Sequence, residues 1–153
     1  MKVVFGDIWE YPADYICITT NGSVNRQGLA VMGRGVAYQA ARRYPNARAF
    51  IAQNIHRFGN HVHFICPTDS AILWTFPVKH YWSARANYLL IERSAKELAI
   101  VARLQPSKVF VLPRPGCGNG GLEWSEVKEV IEHILPDNVH VIDRSASGGQ
   151  EKP

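Results

Sequence analysis

Two Gly-rich stretches hold the residues whose types and spacing could do chemistry. In RPGCGNGGLEW, residues 114–124, four glycines separate an apolar run from an amphipathic one. Glycine loses more backbone freedom on folding than any other residue, so such a cluster marks a place where something approaches the backbone closely. Strand KVFVL, loop PRPGCGNGG and helix EWSEVKEVI form the layout in which exposed N–H groups and a helix N-terminus attract an anion. The same glycines also fit a tight αβ connection that needs positive φ, and the residues alone leave both readings open. The loop has no Gly-Lys-Ser/Thr, so it is no Walker A motif. A second Gly-rich loop, 21–35, repeats the order: strand, polar turn, then Gly33-Arg34-Gly35 before a helix. Two such loops at one sheet edge would face each other across a groove suited to a diphosphate.

Other reactive residue types are placed less tellingly. Cys117 lies between glycines, but no His or Asp is placed by sequence to activate its thiol, and loop packing explains it. His61 and His63 share one face of an expected strand, and two ligands are too few for a metal site. Trp74, Trp82 and Trp124 read as core or groove wall rather than as platforms for bases. Taken alone, Asp7 is a turn or cap residue, Asn21 the first residue of an Asn-Gly turn, and Lys79 a solvated lysine after a strand.

The elements that must position these residues alternate in type. Strands are expected at Lys2–Phe5, Tyr15–Thr20, His61–Cys66, Ala71–Phe76, Lys108–Leu112 and Asn138–Ile142. Helices are expected at Val36–Tyr44, Ala47–His56, Asn87–Leu104 and Glu123–Leu135, with Pro45 and Gln105-Pro106 as breaks. The alternation implies an α/β fold with a mixed, mostly parallel sheet and helices on both faces. Ligands of such sheets bind beyond the carboxyl ends of strands, where both glycine loops fall.

The chain of 153 residues is long enough for one domain with a real core, and 46% hydrophobic with 20% charged residues is ordinary for a globular protein. No apolar run approaches the roughly 20 residues of a membrane span. The N-terminus MKVVFGDIWEYPAD turns acidic too early for a secretory signal, so a cytoplasmic location is expected. Three scattered cysteines without a CxxC pair argue against a disulfide framework or structural zinc. A net charge of +4 favours anionic partners, but only mildly.

GDIW at 6–9, ITTNG at 18–22, VMGRGVA at 31–37 and LPRPGCGNGGLEW at 112–124 together resemble the macrodomain family, which binds ADP-ribose. VMGRGVA, FPVKHYW and GCGNGGLEW further resemble the branch that holds terminal ADP-ribose glycohydrolase and the antitoxins that remove ADP-ribose from DNA thymidine. The resemblance implies a three-layer α/β/α macrodomain over residues 1–143, followed by a disordered polar tail, 144–153. It implies that Asp7 accepts a hydrogen bond from the adenine amino group, with the backbone of Ile8 beside it. By the same likeness Asn21 meets the distal ribose, Gly33, Arg34, Gly35 and Val36 lie over the diphosphate and that ribose, and Gly116, Cys117, Gly118, Asn119 and Gly120 form the second phosphate loop.

The resemblance also gives Lys79 and Asn21 catalytic roles, with the Lys79 amine attacking the anomeric carbon of the distal ribose. Such an attack needs a free amine, which burial or nearby cations favour, and Arg85, Tyr81 and Trp82 are close in sequence. One departure stands out. Where the protein-directed glycohydrolase of this branch carries an acid/base aspartate, this chain reads Asn119-Gly120, with no carboxylate, and the Gly-Gly form of the loop resembles the DNA-directed antitoxins more closely.

The expected function is therefore an ADP-ribosyl hydrolase working as a monomer without cofactor, metal or membrane. Its substrate is ADP-ribosylated protein or DNA. With no strongly basic segment in view, esters of protein Glu or Asp are favoured slightly over DNA thymidine. The alternatives are a reader that binds ADP-ribose without chemistry, and a nucleic-acid-binding domain using its basic surface.

Overall fold

The computed structural model describes residues 1–144, so the expected tail lies, but for its first residue, outside the described residues. Six strands form one sheet: β1 (Lys2–Phe5), β2 (Tyr15–Asn21), β3 (Phe64–Pro67), β4 (Ile72–Lys79), β5 (Phe110–Pro113) and β6 (Val139–Asp143). Their order is β1-β6-β5-β2-β4-β3, all parallel except β3, which runs antiparallel to β4. Four helices complete the fold: α1 (Gly35–Arg43), α2 (Ala47–Phe58), α3 (Tyr88–Leu104) and α4 (Trp124–Ile131).

Period-two alternation along the strands sorts the core into two halves. Ile16, Ile18, Leu73 and Val111 pack under Ala37 and Ala40 of α1 and Ala47 and Ile51 of α2. Cys17, Phe76, Phe110, Leu112 and Val141 face the other way, against Ile91, Ala95 and Leu98 of α3 and Val127 and Ile131 of α4. The expected three-layer α/β/α arrangement is what forms. Asn87 begins α3 by accepting the Leu90 N–H at 2.9 Å, and the helix ends at Gln105-Pro106 as its sequence predicts.

The expected strand at His61–Cys66 is displaced to Phe64–Pro67. The N–H groups of its expected first residues go to side chains: Thr75 Oγ1 accepts the His63 N–H at 2.9 Å, and Glu97 Oε1 accepts the Val62 N–H at 2.9 Å, while the His63 carbonyl accepts the Thr75 N–H at 2.8 Å. His61 and His63 therefore share no strand face, and His61 Nδ1 lies 2.7 Å from Glu97 Oε2. Strand β4, in contrast, runs beyond the expected Phe76 to Lys79, so this lysine ends the strand. The expected Glu123–Leu135 helix shortens to Trp124–Ile131, with Glu123 at the N-cap making no side-chain cap hydrogen bond.

Among the described residues, no helix is long and apolar enough to cross a membrane.

Candidate functional site

The connections around the sheet open a crevice where β2 and β5 lie side by side. After β2 the chain passes to α1 on one face, whereas after β5 it passes to α4 on the other. Ligand crevices of open α/β sheets arise at such reversals. Here the two strands pair only through Tyr15↔Phe110 and Ile16↔Val111, while β2 continues to Asn21 and β5 to Pro113. Beyond that point no ladder pairing joins them. The space between holds a cavity of about 1290 Å³ at the carboxyl edge of the sheet.

The two glycine loops are the walls. Gly33, Arg34, Gly35 and Val36 line one side, and Gly116, Cys117, Gly118, Asn119 and Gly120 line the other. A Cβ placed on Gly35, which has φ +61°, would lie 3.3 Å from Asn119 Nδ2, so the walls nearly touch there. Gly116 has φ +75° and is enclosed by Ile91, Leu122 and Ala86. At this residue the backbone takes a positive φ under close packing, and it also lines the cavity.

Lys79 and Asn21 end adjacent strands, paired across a register shift in β2, and both line the cavity. Asn21 is fixed by its side chain, which donates to the Val31 carbonyl at 3.0 Å and accepts the Ser23 N–H at 2.8 Å. The carbonyl of Lys79 accepts from Asn60 Nδ2 at 3.0 Å, which anchors the strand end. Among the described residues no carboxylate forms an ion pair with Lys79, Arg34 or Arg85, the cations around this part of the cavity.

A strap between β4 and α3 ties the two walls. The Trp82 N–H donates to Ser23 Oγ at 3.0 Å on the first loop. At the strap's other end the Ala86 N–H donates to the Gly120 carbonyl at 3.1 Å, and Arg85 donates to the Gly121 carbonyl at 2.7 Å. Of the three tryptophans read as core or groove wall, Trp74 is half-buried, Trp124 is half-buried and lines the cavity, and Trp82 lines it with 61% of its surface exposed.

Asp7 stands apart from the other expected site residues. Ile8 and Gly6 line the cavity and Asp7 does not. Its Oδ1 accepts the Trp9 N–H at 2.9 Å, and its carbonyl accepts from Glu10 and Tyr11, so it organises the turn after β1. Cys117 is governed by packing. Burial pushes its thiol up to about 11, and Sγ faces the Pro115 carbonyl at 3.7 Å, so no thiolate nucleophile forms near neutral pH.

Among the lining residues that sequence reasoning missed, three stand out for their polar groups. Thr20 Oγ1 and Arg114 Nε are buried without a hydrogen-bond partner, and both residues line the cavity. Buried polar atoms are nearly always paired, so these two are groups that a polar ligand would satisfy. Arg114 also stacks 4.8 Å over Trp124 and lies 3.4 Å from Asp143, the third missed residue. Thr20 and Arg114 lie inside the ITTNG and LPRPGCGNGGLEW motifs without standing out there, and only the convergence of β2, β5 and β6 brings them together with Asp143 at the cavity.

A charge asymmetry was also hidden in the average. Residues 15–91 hold eight Lys or Arg and one acid, Asp69, while the rest of the chain holds nine Lys or Arg and twelve acids. Counting charge by segment would have shown it. Asp69 precedes β4 and Lys79 ends it, so the one acid sits at the opposite edge of the sheet from the cavity.

Among protein-family models, none matches the chain. It is similar to a protein of Thermus aquaticus named DNA ADP-ribosyl glycohydrolase, with 31% identity over 143 residues, 88% of this chain and 38% of that protein. A Mycobacterium tuberculosis protein of the same name is 29% identical over 130 residues, 79% of this chain and 37% of the relative. The chain thus spans less than two-fifths of the length of the curated relatives it matches. Its structure is similar to the macrodomain of Thermus aquaticus DarG, with a TM-score of 0.77, 27% identity and coverage of 94% of this chain and 97% of that one. It also matches the fold of Thermosipho africanus DarTG in complex with ADP-ribose, at a TM-score of 0.77, 18% identity and coverage of 93% and 41%. The fold, the paired glycine loops and these similarities agree: the chain belongs to the macrodomain family and stands with its DarG branch.

Proposed function

We propose that this domain binds ADP-ribose and hydrolyses its bond to a modified macromolecule, and that the macromolecule is DNA. The observation that carries the reading is the convergence of two glycine loops with Lys79 and Asn21 over one crevice that also contains orphaned polar atoms. The diphosphate lies between the loops, meeting backbone N–H groups that need no side chain to approach it. Adenine extends toward Ile8 and the turn at Asp7, whose Oδ2 accepts the amino group. The distal ribose faces Asn21 and Lys79.

In this arrangement the Lys79 amine attacks the anomeric carbon, the bond to the leaving group breaks, and the leaving atom takes a proton. Water then attacks the same carbon, releasing ADP-ribose and returning the amine. DNA is favoured over a protein ester on two grounds. Relatives named DNA ADP-ribosyl glycohydrolase share most of this chain. The cations near Lys79 also lack acidic neighbours, which suits a polyanion.

The test is one assay matrix. Wild type and Lys79→Ala are incubated with thymidine-ADP-ribosylated DNA and with protein carrying ADP-ribose on Glu or Asp, and ADP-ribose binding is followed by calorimetry. Release from DNA by wild type and its loss in Lys79→Ala are expected. Binding without release from either substrate would make the domain a reader. Equal rates for variant and wild type would remove Lys79 as the nucleophile.

A further inference from the structure

The cavity explains how ADP-ribose is held but not what holds the strand attached to it. Three segments meet at its Lys79 end. Gly22 packs against the His80 carbonyl and Asn60, such that an added Cβ would lie 2.8 Å from the former and 3.0 Å from the latter. Asn60 in turn donates to the Lys79 carbonyl, and its own carbonyl accepts from Arg93 Nη2. Ser23 receives the Trp82 N–H. The loop after β2, the turn after α2 and the strap after β4 therefore form one clasped rim.

Around this rim the exposed side chains are aromatic and cationic. Tyr81 is 67% exposed and Trp82 61% exposed, on a strap pinned at both ends. Arg26 is exposed in the turn of the small hairpin that Val24 and Ala30 close, one residue beyond Ser23. Arg57 is exposed in the last turn of α2, just before the Gly59–Asn60 turn. Neither arginine forms an ion pair among the described residues, and no acid lies nearer along the chain than Asp14 and Asp69.

A large aromatic held by its backbone in water is costly unless something covers it. A ring with a free face beside unpaired arginines is the combination that seats single strands: bases stack on the ring while cations follow the phosphates. A peptide carrying ADP-ribose on an acidic residue would need neither.

We propose that Trp82 stacks on the base that the anomeric carbon releases when Lys79 attacks it, and that Arg26 and Arg57 hold the phosphates of the same single strand on either side of it. The inference rests on the hydrolase reading above and assigns its strand-binding residues. Trp82 is then a specificity residue: it places the modified nucleotide so that its anomeric carbon meets the lysine. Arg26 and Arg57 lie outside the cavity and act on the strand alone.

The experiment measures kcat/KM for a thymidine-ADP-ribosylated single-stranded oligonucleotide and for an ADP-ribosylated protein ester, across a salt series, with ADP-ribose affinity by calorimetry. Trp82→Ala is expected to lower kcat/KM on the oligonucleotide about 10- to 100-fold more than on the protein ester, and Trp82→Phe to restore most of it. Arg26→Gln with Arg57→Gln is expected to leave ADP-ribose affinity unchanged and to flatten the salt dependence on the oligonucleotide by about one unit of slope. Equal losses on both substrates, or no loss on the oligonucleotide, would overturn the proposal and leave the hydrolase reading intact. Release from protein but not from DNA would overturn the proposal together with the DNA assignment, and leave only the hydrolysis of the ADP-ribose bond standing. Failure to bind ADP-ribose would instead bring down the hydrolase reading, and calorimetry separates that case from the others.

Discussion

The second glycine loop can be tested by two alanines that share a backbone conformation and differ only in what surrounds them. Gly116 and Gly118 have φ of +75° and +70°, so each substitution costs about 1–2 kcal/mol from the left-handed region alone. At Gly118 an added Cβ meets nothing within 4 Å. At Gly116 it falls 2.8 Å from Ile91 Cδ1, 2.9 Å from Leu122 Cδ1 and 3.0 Å from Ala86 Cβ. Ile91 is fully buried in α3 and Ala86 has no flexible end, so the strain must move the loop. Overpacking of this kind costs about 1–3 kcal/mol more. Gly116→Ala should therefore lose about 2–5 kcal/mol, and Gly118→Ala about 1–2 kcal/mol. For a domain of this size the extra cost lowers Tm by about 2–12 °C beyond the milder variant. Calorimetric unfolding measures both, and ADP-ribose titration below either Tm reports the loop position, with Gly116→Ala losing more affinity. Equal Tm values for the two variants would refute the claim that close packing, and not φ, makes Gly116 indispensable.

Other substitutions probe the chemistry and the pH response. Asn119 is exposed over the cavity, so Asn119→Asp folds and restores a carboxylate; about 10²–10⁴-fold faster release from a protein ester is the range such help provides, and an unchanged rate would show that the amide position is not limiting. Gly120→Asp should instead lower Tm without any gain, because its Cβ would lie 2.9 Å from Ala86 Cβ. Cys117→Ala should leave hydrolysis unchanged, since burial holds the thiol protonated, and a lost activity would refute that assignment. Burial, ahead of other causes, pulls both His63 and His140 below the ordinary histidine value. The unfolded chain then binds more protons than the fold near and below about pH 6.5, so stability is whole above that pH and lost as pH falls. Melting curves between about pH 7 and pH 5 should slope accordingly, and His63→Gln with His140→Gln should flatten them.

The local chemistry of this chain was legible without its structure. Glycine clusters, the β-branched runs and the Gln105-Pro106 break report on backbone freedom and periodicity, which act over a few residues, and they placed every helix and strand to within a few positions. The departures had long-range causes. Strand β3 starts late because Thr75 and Glu97, distant in sequence, take the N–H groups that a ladder would have used. Strand β4 runs on to Lys79 because β2 continues beside it through Asn21. The branch motifs pointed to the ligand and to Lys79 through family likeness alone. They could not show that the pairing of β2 with β5 stops at Ile16 and Val111, or that the two glycine loops line one cavity at that edge. Nor could they show that Thr20 and Arg114 leave unpaired atoms in that cavity, or that Trp82 turns outward beside Lys79. A sequence specifies which backbone conformations are cheap. Which polar atoms go unpaired, and which rings stay in water, depends on what the rest of the chain brings against them.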